Sequence, residues 1–573
     1  MSTIYFKEVN CKNCYKCIRC CPVKAISLKD DRAQIIHEAC ILCGECLEAC
    51  PQSAKSVNSE IDKVKAFFEK KYKVYLSIAP SFPAAYNIRN EKIIYRLFKK
   101  LGFTFVEETA VGADRVTLEY HRLLLKGSMP NIIESSCATV VLLIEKYFPE
   151  LIPMLAPVVS PMVAHAKMMK DMYGSRIKVV FLGPCLAKKE EYKDSQNDDL
   201  IDAVITYEEF DNWIEEEGLS FEDFEEENNE TGYHNIISRF YPAPGGIIKA
   251  LGNTKKYNYK FVKFDGIQKC IEILKEIRDS DIKGYFFELN SCQGGCLSGP
   301  CTNKGCSGYL QMRERLLSYI GASNSSENSY TRYDNRISLK KNFTNKSSLN
   351  LVPDEKELID ILRKTGKFSK NDELNCGACG YQSCRDKAIA VYNNKADINM
   401  CLPYMRTRAE SISNVIMSST PNAIIALNEE LCIQEANSAA QSLFDLNRNE
   451  VQNRLIEDFL DCNDFKNVLE TGKDIINKKC FYEKYNITVE QTVLFIKEDQ
   501  LILIIMKDIT VDEIKRQQRD RVRSETVEIA QRVIEKQMRV AQEIASLLGE
   551  TTAETKVALT NLKNSIQKKM GDE

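Results

Sequence analysis

The sequence predicts an α+β protein of several domains joined through cysteine-rich modules. Three observations carry that expectation. The chain has 573 residues, more than the roughly 100–200 that one core serves. Residues 72–320 alternate apolar, β-branched runs with helical patterns. The 23 cysteines fall into groups of fixed spacing.

Composition narrows the classes. An apolar content of 44% is ordinary for a globular chain, and a formal net charge of -3 gives no general pull toward nucleic acid or a membrane surface. No run of about 18 apolar residues occurs, so no spanning helix is expected. The start, Met1-Ser2-Thr3-Ile4-Tyr5-Phe6, lacks the apolar stretch of a signal peptide. Chain size, the missing export signal and tight C-x-x-C spacing oppose disulfides. Zinc is opposed by the triplet spacing and by a total of only four histidines. A reduced cytoplasm in an anaerobic setting is the expected location.

The first module, residues 1–60, repeats one pattern: Cys11, Cys14, Cys17 and Cys21-Pro22, then Cys40, Cys43, Cys46 and Cys50-Pro51. This is the signature of a bacterial two-cluster ferredoxin. Three thiolates on a tight loop grip one cubane, and the cysteine before proline reaches the other. Cys11, Cys14, Cys17 and Cys50 are therefore assigned to one [4Fe–4S] cluster, and Cys40, Cys43, Cys46 and Cys21 to the second. Cys20 is surplus.

Residues 72–320 form the second module. The runs 73–79 and 177–182 have the character of buried parallel strands, and helical patterns follow near 91–101 and 140–148. Cysteines or Gly-Pro turns stand just beyond such strands, where open α/β folds place their sites. Thr109-Ala110-Val111-Gly112-Ala113-Asp114, Ser135-Ser136-Cys137, Gly183-Pro184-Cys185-Leu186-Ala187-Lys188 with Glu191, and Glu288 with Cys292 and Cys296 follow in order. Together with the ferredoxin-type module, this series resembles the [FeFe] hydrogenases over roughly residues 1–310. The resemblance implies an H-cluster: a [4Fe–4S] cubane linked through one cysteine to a diiron subsite carrying CO, cyanide and azadithiolate. By position, Cys137, Cys185, Cys292 and Cys296 hold the cubane and Cys296 bridges to the diiron unit. Lys188 matches the lysine paired with an iron-bound cyanide, Ala79, Pro80 and Ser81 fall where the second cyanide is lined, and Pro184 belongs to the same wall. Without that frame, Lys188 and Glu191 read equally well as a solvated pair in a charged run.

The chain departs from the family around the cluster. Ser136 stands where the family carries a proton-relaying cysteine, and a hydroxyl is a much weaker acid than a thiol of pKa about 8.5. Gly183 and Asn290 replace methionines. Cys301 and Cys306 add thiols nearby, and either is a candidate substitute relay. With the cluster ligands kept and their surroundings changed, H2 is expected to be split slowly.

Residues 321–350, rich in Ser and Asn, read as a linker or an irregular excursion, and an acidic run from Glu215 to Glu230 as a surface loop. Residues 351–408 hold Cys376, Cys379, Cys384 and Cys401, with Gly377 and Gly380 permitting tight backbone around a third simple [4Fe–4S] cluster; this stretch is similar to the small [4Fe–4S] domain of corrinoid iron–sulfur proteins. Residues 412–512 resemble a PAS domain, and Cys432, Cys462 and Cys480 there lack metal spacing. Residues 513–573 read as helical. Val533, Val540 and Leu547 step by seven, with Ala530 and Ile544 interleaved, which supports a coiled coil and a homodimer. No phosphoacceptor histidine lies in this tail.

The expected whole is a sensory-type [FeFe] hydrogenase with low activity. Its partners would be H2 and protons, ferredoxin or another redox protein, hydrogenase maturation proteins and a signalling output protein. Two alternatives are a bulk, ferredoxin-linked catalytic hydrogenase and a non-catalytic iron–sulfur relay.

Overall fold

The computed structural model describes residues 3–6, 10–29, 32–88, 91–224, 237–302, 308–321, 337–347, 351–445, 453–497, 500–548 and 552–568. The chain divides into two compact units, Met1–Met405 and Arg406–Glu573.

The first unit begins with a small module built twice over. The hairpin Ile26–Lys29 with Arg32–Ile35 lies between two short helices, Lys16–Cys20 and Glu45–Glu48, and Ile4–Phe6 pairs antiparallel with Lys55–Val57. The repeat extends to backbone angles. Asn13 and Tyr15 in the first cysteine loop, and Leu42 and Gly44 in the second, all take positive φ, as do Lys24 and Ser53 three residues past Cys21 and Cys50. Three non-glycine residues in those two loops accept an unfavourable conformation, which turns the chain tightly around each cysteine triplet.

The central domain contains two parallel sheets. One has the order Phe105–Glu108, Val74–Ile78, Lys178–Gly183, Ala203–Thr206; the other has Lys260–Asp265, Tyr285–Asn290, Asn131–Ile133. The strands Val74–Ile78 and Ala203–Thr206 are buried throughout, as their continuous apolar runs require. The helix expected near 91–101 spans Glu91–Lys100, and that near 140–148 spans Ala138–Tyr147. Two longer helices, Ala110–Lys126 and Pro161–Tyr173, contribute to the core that also holds Tyr75, Val179 and Phe286.

One expectation is corrected here. Residues 337–347, assigned to a linker, are bonded into the central domain. Val159 N–H donates to the Leu339 carbonyl (2.9 Å), Lys341 N–H to that of Pro157 (3.1 Å), and Leu339 is buried in the main core. Composition misled because this segment contributes backbone hydrogen bonds and few apolar side chains. The C-terminal part of the acidic run, 225–230, lies outside the described residues.

The remainder of this unit carries helices Glu355–Lys364 and Cys384–Tyr392, each opened by a reciprocal capping box, on Asp354 and Glu357 and on Ser383 and Asp386. The helix Leu402–Ser419 follows Cys401 directly and contains the boundary between the units.

The second unit is a five-stranded antiparallel sheet in the order 433–436, 423–427, 501–508, 487–496, 475–482. Asn437 fixes its first turn: its side-chain oxygen accepts from Ala440 N–H (2.9 Å) and Ile424 N–H (2.8 Å), and its amide donates to the Met417 and Asn422 carbonyls. Beyond the sheet run the helices Thr510–Leu548 and Thr552–Lys568. Val533, Val540 and Ile544 on the long helix are exposed. No described helix is long and apolar enough to cross a membrane.

Candidate active site and cluster sites

The loops at the carboxyl ends of the parallel strands converge. Ala79-Pro80-Ser81 follows Val74–Ile78, Thr109 follows Phe105–Glu108, Ser136-Cys137 follows Asn131–Ile133, and Pro184-Cys185 follows Lys178–Gly183. All of these residues, with Glu134, Lys188, Asn290 and Cys296, line one cavity of ≈ 90 Å³.

Cys292 is not among the residues around this cavity. It lines a neighbouring recess of ≈ 850 Å³ together with Cys43. Burial pushes its thiol well up, followed by the charges of Cys185, Cys296, Cys137 and Cys43. Burial, then Cys185, pushes Cys137 up to about 12. A bound metal would hold such buried thiols as thiolates.

The charged run at 188–191 is not solvated. Lys188 Nζ pairs with Glu191 Oε2 at 2.6 Å, with side-chain exposures of 11% and 7%, and donates to the Ser136 carbonyl at 3.2 Å. Burial opposes the charge on Lys188, but Glu191 and Cys185 outweigh it and hold the ammonium above its ordinary value. Glu191, also penalised by burial, is held below the usual carboxylate range by Lys188 and Lys341. Lys341 stands 3.8 Å from Glu191, so the corrected segment 337–347 supports the site. Lys189 is buried on Glu209 (2.9 Å), leaving Glu190 as the exposed member of the run.

Ser136 lies on the cavity wall with its N–H donating to Glu134 Oε2 (2.6 Å) and its hydroxyl 3.1 Å from Tyr120 Oη. The buried Glu134 carboxyl is pushed up to about 7 by burial, and its Oε1 has no hydrogen-bond partner among the described residues. Sequence reasoning missed Glu134 and Tyr120, although a carboxylate directly after the apolar strand Asn131–Ile133 was a legible signal. Gly183 has a packing reason: a Cβ there would stand 2.7 Å from the Phe181 ring and 3.2 Å from Ala79 Cβ. Phe181, a cavity residue, leaves no room for a larger side chain at 183. Cys301 is buried in apolar core behind Pro184 and is not among the residues around the cavity, and Cys306 lies outside the described residues.

In the N-terminal module burial raises the Cys17 thiol against the lowering pull of Lys55, with Cys50 and Cys11 adding to the rise, and burial raises Cys43, with Cys21, Cys46 and Cys40 adding to it. The repeat supplies equivalent donors: Ala25 N–H reaches Cys21 Sγ (3.3 Å) and Ala54 N–H reaches Cys50 Sγ (3.4 Å). Cys20 donates to the Cys17 carbonyl.

Cys376, Cys379, Cys384 and Cys401 line a third recess, with Lys367 Nζ 3.3 Å from Cys401 Sγ. This loop packs on the N-terminal module. Tyr381 and Met400 share a core with Ile18 and Cys21, and a Cβ on Gly380 would stand 3.2 Å from Arg19 Cα. Burial, then the charges of Cys379 and Cys21, pushes the Tyr381 hydroxyl up.

Among the described residues, no three Cys, His, Asp or Glu close on a single point as one ion requires. Zinc takes each sulfur at about 2.3 Å from one centre. A cubane offers a different iron to each thiolate, so its sulfurs stand around a cage. The four thiols around the third recess, with no histidine among its lining residues, fit the donor set of a cubane.

Residues 72–300 match the family described as iron only hydrogenase large subunit, C-terminal domain. The chain carries an iron-only hydrogenase domain. Residues 3–51 match a 4Fe-4S dicluster domain, 372–403 an Fe-S cluster domain and 414–492 the PAS fold. Among solved structures, an [FeFe]-hydrogenase described for its oxygen inactivation is 17% identical over 51% of this chain and 100% of its own, with a TM-score of 0.42. A variant of the [FeFe]-hydrogenase HydA1 from Chlamydomonas reinhardtii is 16% identical over the same shares, with a TM-score of 0.41. A PAS domain of an HTR-like protein from Haloarcula marismortui is 19% identical over 18% of this chain and 95% of its own, with a TM-score of 0.16. The hydrogenase domain, with its iron–sulfur and PAS companions, is thus a multidomain α+β assembly, as its sequence predicts.

Proposed function

We propose that this chain is a sensory-type [FeFe] hydrogenase that splits H2 slowly and reversibly. The observation that carries the reading is the gathering of Cys137, Cys185, Cys296, Ser136 and the buried Lys188–Glu191 pair around one small cavity in a hydrogenase domain. Cys137, Cys185, Cys292 and Cys296 would hold an H-cluster. That group, when bound, supplies the iron chemistry that splits H2 into two protons and two electrons. The protein's own residues bind and position. Lys188, its charge secured by Glu191, would offer a desolvated cation to a cyanide of that group. Ala79, Pro80, Ser81 and Pro184 close the wall. Ser136 keeps a hydroxyl where a more acidic thiol would move protons faster.

Electrons have a line of sulfur sites to follow. Cys292 and Cys43 line one recess, and Cys21 and Cys379 belong to one packed cluster, which supports a Cys21, Cys40, Cys43 and Cys46 cubane between the active-site cubane and that of Cys376, Cys379, Cys384 and Cys401. The cubane of Cys11, Cys14, Cys17 and Cys50 completes the set of three. Cys401 immediately precedes the helix that enters the PAS unit, a covalent route by which cluster state can be relayed. Exposed Val533, Val540 and Ile544 support a homodimer through the long helix. Domain limits of 1–60, 72–320, 351–408, 412–512 and 513–573 follow, with 337–347 joined to the second. The location is cytoplasmic, and the partners are maturation proteins, a ferredoxin-like redox protein and an output protein.

Infrared spectra of the full chain after maturation test this reading. Bands from CO and cyanide on iron with slow H2 turnover are expected. Absence of those bands leaves only an iron–sulfur relay, and fast turnover indicates a bulk catalyst.

A further inference from the structure

A buried chain of four polar side chains runs from the cavity wall to the edge of the hydrogenase domain. Thr109 lines the cavity. Its hydroxyl lies 2.7 Å from Ser77 Oγ, which lies 2.8 Å from His165 Nδ1. On the far side of the ring, His165 Nε2 lies 2.8 Å from Glu107 Oε2. Ser77 is 1% exposed and His165 0%, whereas the Glu107 side chain is 13% exposed. We propose that Thr109, Ser77, His165 and Glu107 form a proton relay between the H2 cavity and the protein surface. The proposal rests on the reading of that cavity as a hydrogen site.

The sheet builds the arrangement. Ser77 and Glu107 are directly paired across neighbouring parallel strands, and Thr109 follows Glu107 by two residues, so all three lie along one face. His165 descends on them from the helix Pro161–Tyr173. Gly112 permits the approach, since a Cβ there would stand 2.5 Å from the Pro161 carbonyl oxygen and 2.7 Å from His165 Cβ. Thr109 is also the N-cap of the helix Ala110–Lys126, yet its side chain makes no capping hydrogen bond. A threonine at that position ordinarily caps; here the hydroxyl is turned to Ser77.

The donors and acceptors fix a direction. The Glu107 carboxylate can only accept, so Nε2 carries the imidazole proton and Nδ1 is bare. Ser77 must then donate to Nδ1, and Thr109 must donate to Ser77. Every proton in the chain points outward, and the Thr109 oxygen is left to accept from the cavity. Splitting one H2 yields two protons and two electrons, and the electrons leave through the cysteine-held clusters. A proton binding the Thr109 oxygen displaces that residue's own proton to Ser77 Oγ. The Ser77 proton moves to Nδ1, the Nε2 proton to Glu107, and Glu107 releases it to water. Rotation of the two hydroxyls and return of the imidazole to its Nε2–H tautomer reset the chain for the next proton. Ser77 is too enclosed to serve as a nucleophile of the Ser–His–acid kind, which needs an approachable oxygen.

Two experiments on the full chain test the relay. In protein matured with the diiron unit, Thr109→Val removes only the hydroxyl at constant shape, Thr109→Ser restores it, and His165→Phe breaks the chain at its centre. The expected result is unchanged CO and cyanide bands in all three, with exchange between H2 and D2O slowed by about tenfold or more in Thr109→Val and His165→Phe and recovered in Thr109→Ser. Intact bands with exchange within about twofold of the parent in Thr109→Val would overturn the relay while leaving the hydrogenase reading in place; absent bands in the parent would remove both. In the chain expressed without maturation partners, nitrogen-15 spectra of the imidazoles read the tautomer directly. A His165 proton on Nε2 is expected, and a proton on Nδ1 alone would overturn the order of donors.

Discussion

The N-terminal module and the hydrogenase domain both gather cysteines, but by opposite means. In the module each triplet sits on one loop, Cys11 to Cys17 or Cys40 to Cys46, and the loop's own positive-φ residues shape the grip. In the hydrogenase domain Cys137, Cys185 and Cys296 come from segments far apart in the chain, carried to one cavity by strands of two sheets. A local site depends on a few backbone angles. A non-local site depends on the whole core, and in exchange it can surround its metal group with chosen side chains such as Lys188 and Phe181.

Ligand removal should expose that contrast most strongly. Cys185→Ala is expected to abolish the CO and cyanide bands while leaving the paramagnetic signals of the N-terminal cubanes intact. Cys14→Ala should do the reverse, lowering bound iron by about one cubane and keeping the bands. Loss of the bands in both variants would erase the distinction.

The next effect is on stability. Glu191→Gln strands a buried Lys188 and should cost about 3–5 kcal/mol in denaturant unfolding. Lys65→Met, which removes a more exposed pair with Glu216 beside the same domain, should cost less than about 1 kcal/mol. Equal costs would mean that the cavity pair is as solvated as the surface one.

A pH test follows. Burial raises the Asp114 carboxyl to about 6, with its Oδ2 unpartnered among the described residues. The folded state therefore binds the proton more tightly than the unfolded chain, whose carboxyl titrates near 3.9. Stability from this group is full below the unfolded value and declines as pH rises through about 6. Asp114→Asn should flatten that decline, worth about 3 kcal/mol at neutral pH. An unchanged pH profile would assign the loss to other groups.

The smallest effect is expected at Cys20. It is half-buried, bonds only to main-chain carbonyls among its side-chain contacts here, and duplicates no ligand position. Cys20→Ser should change stability by no more than about 0.5 kcal/mol and leave all cluster signals in place. Loss of a cubane would make it a ligand and break the repeat.

Much of this protein is determined locally and was therefore legible in the chain. The two triplet loops and the parallel strands with their helices follow from spacing and periodicity, because each is set by neighbours within a few residues; the PAS strands around Asn437 and the gathering of Cys137, Cys185 and Cys296 near Lys188 were legible only through resemblance to known families. Tertiary structure decided the rest. Whether Lys188 and Glu191 are solvated or buried depends on what covers them, including Lys341 from a segment whose composition suggested a linker. The residues of the series Thr109, Ser77, His165 and Glu107 carry no spacing signal at all. They meet only because two strands are paired in register and Gly112 lets a helix settle onto them, and the chemistry of a buried polar group is fixed by the partners that burial leaves it.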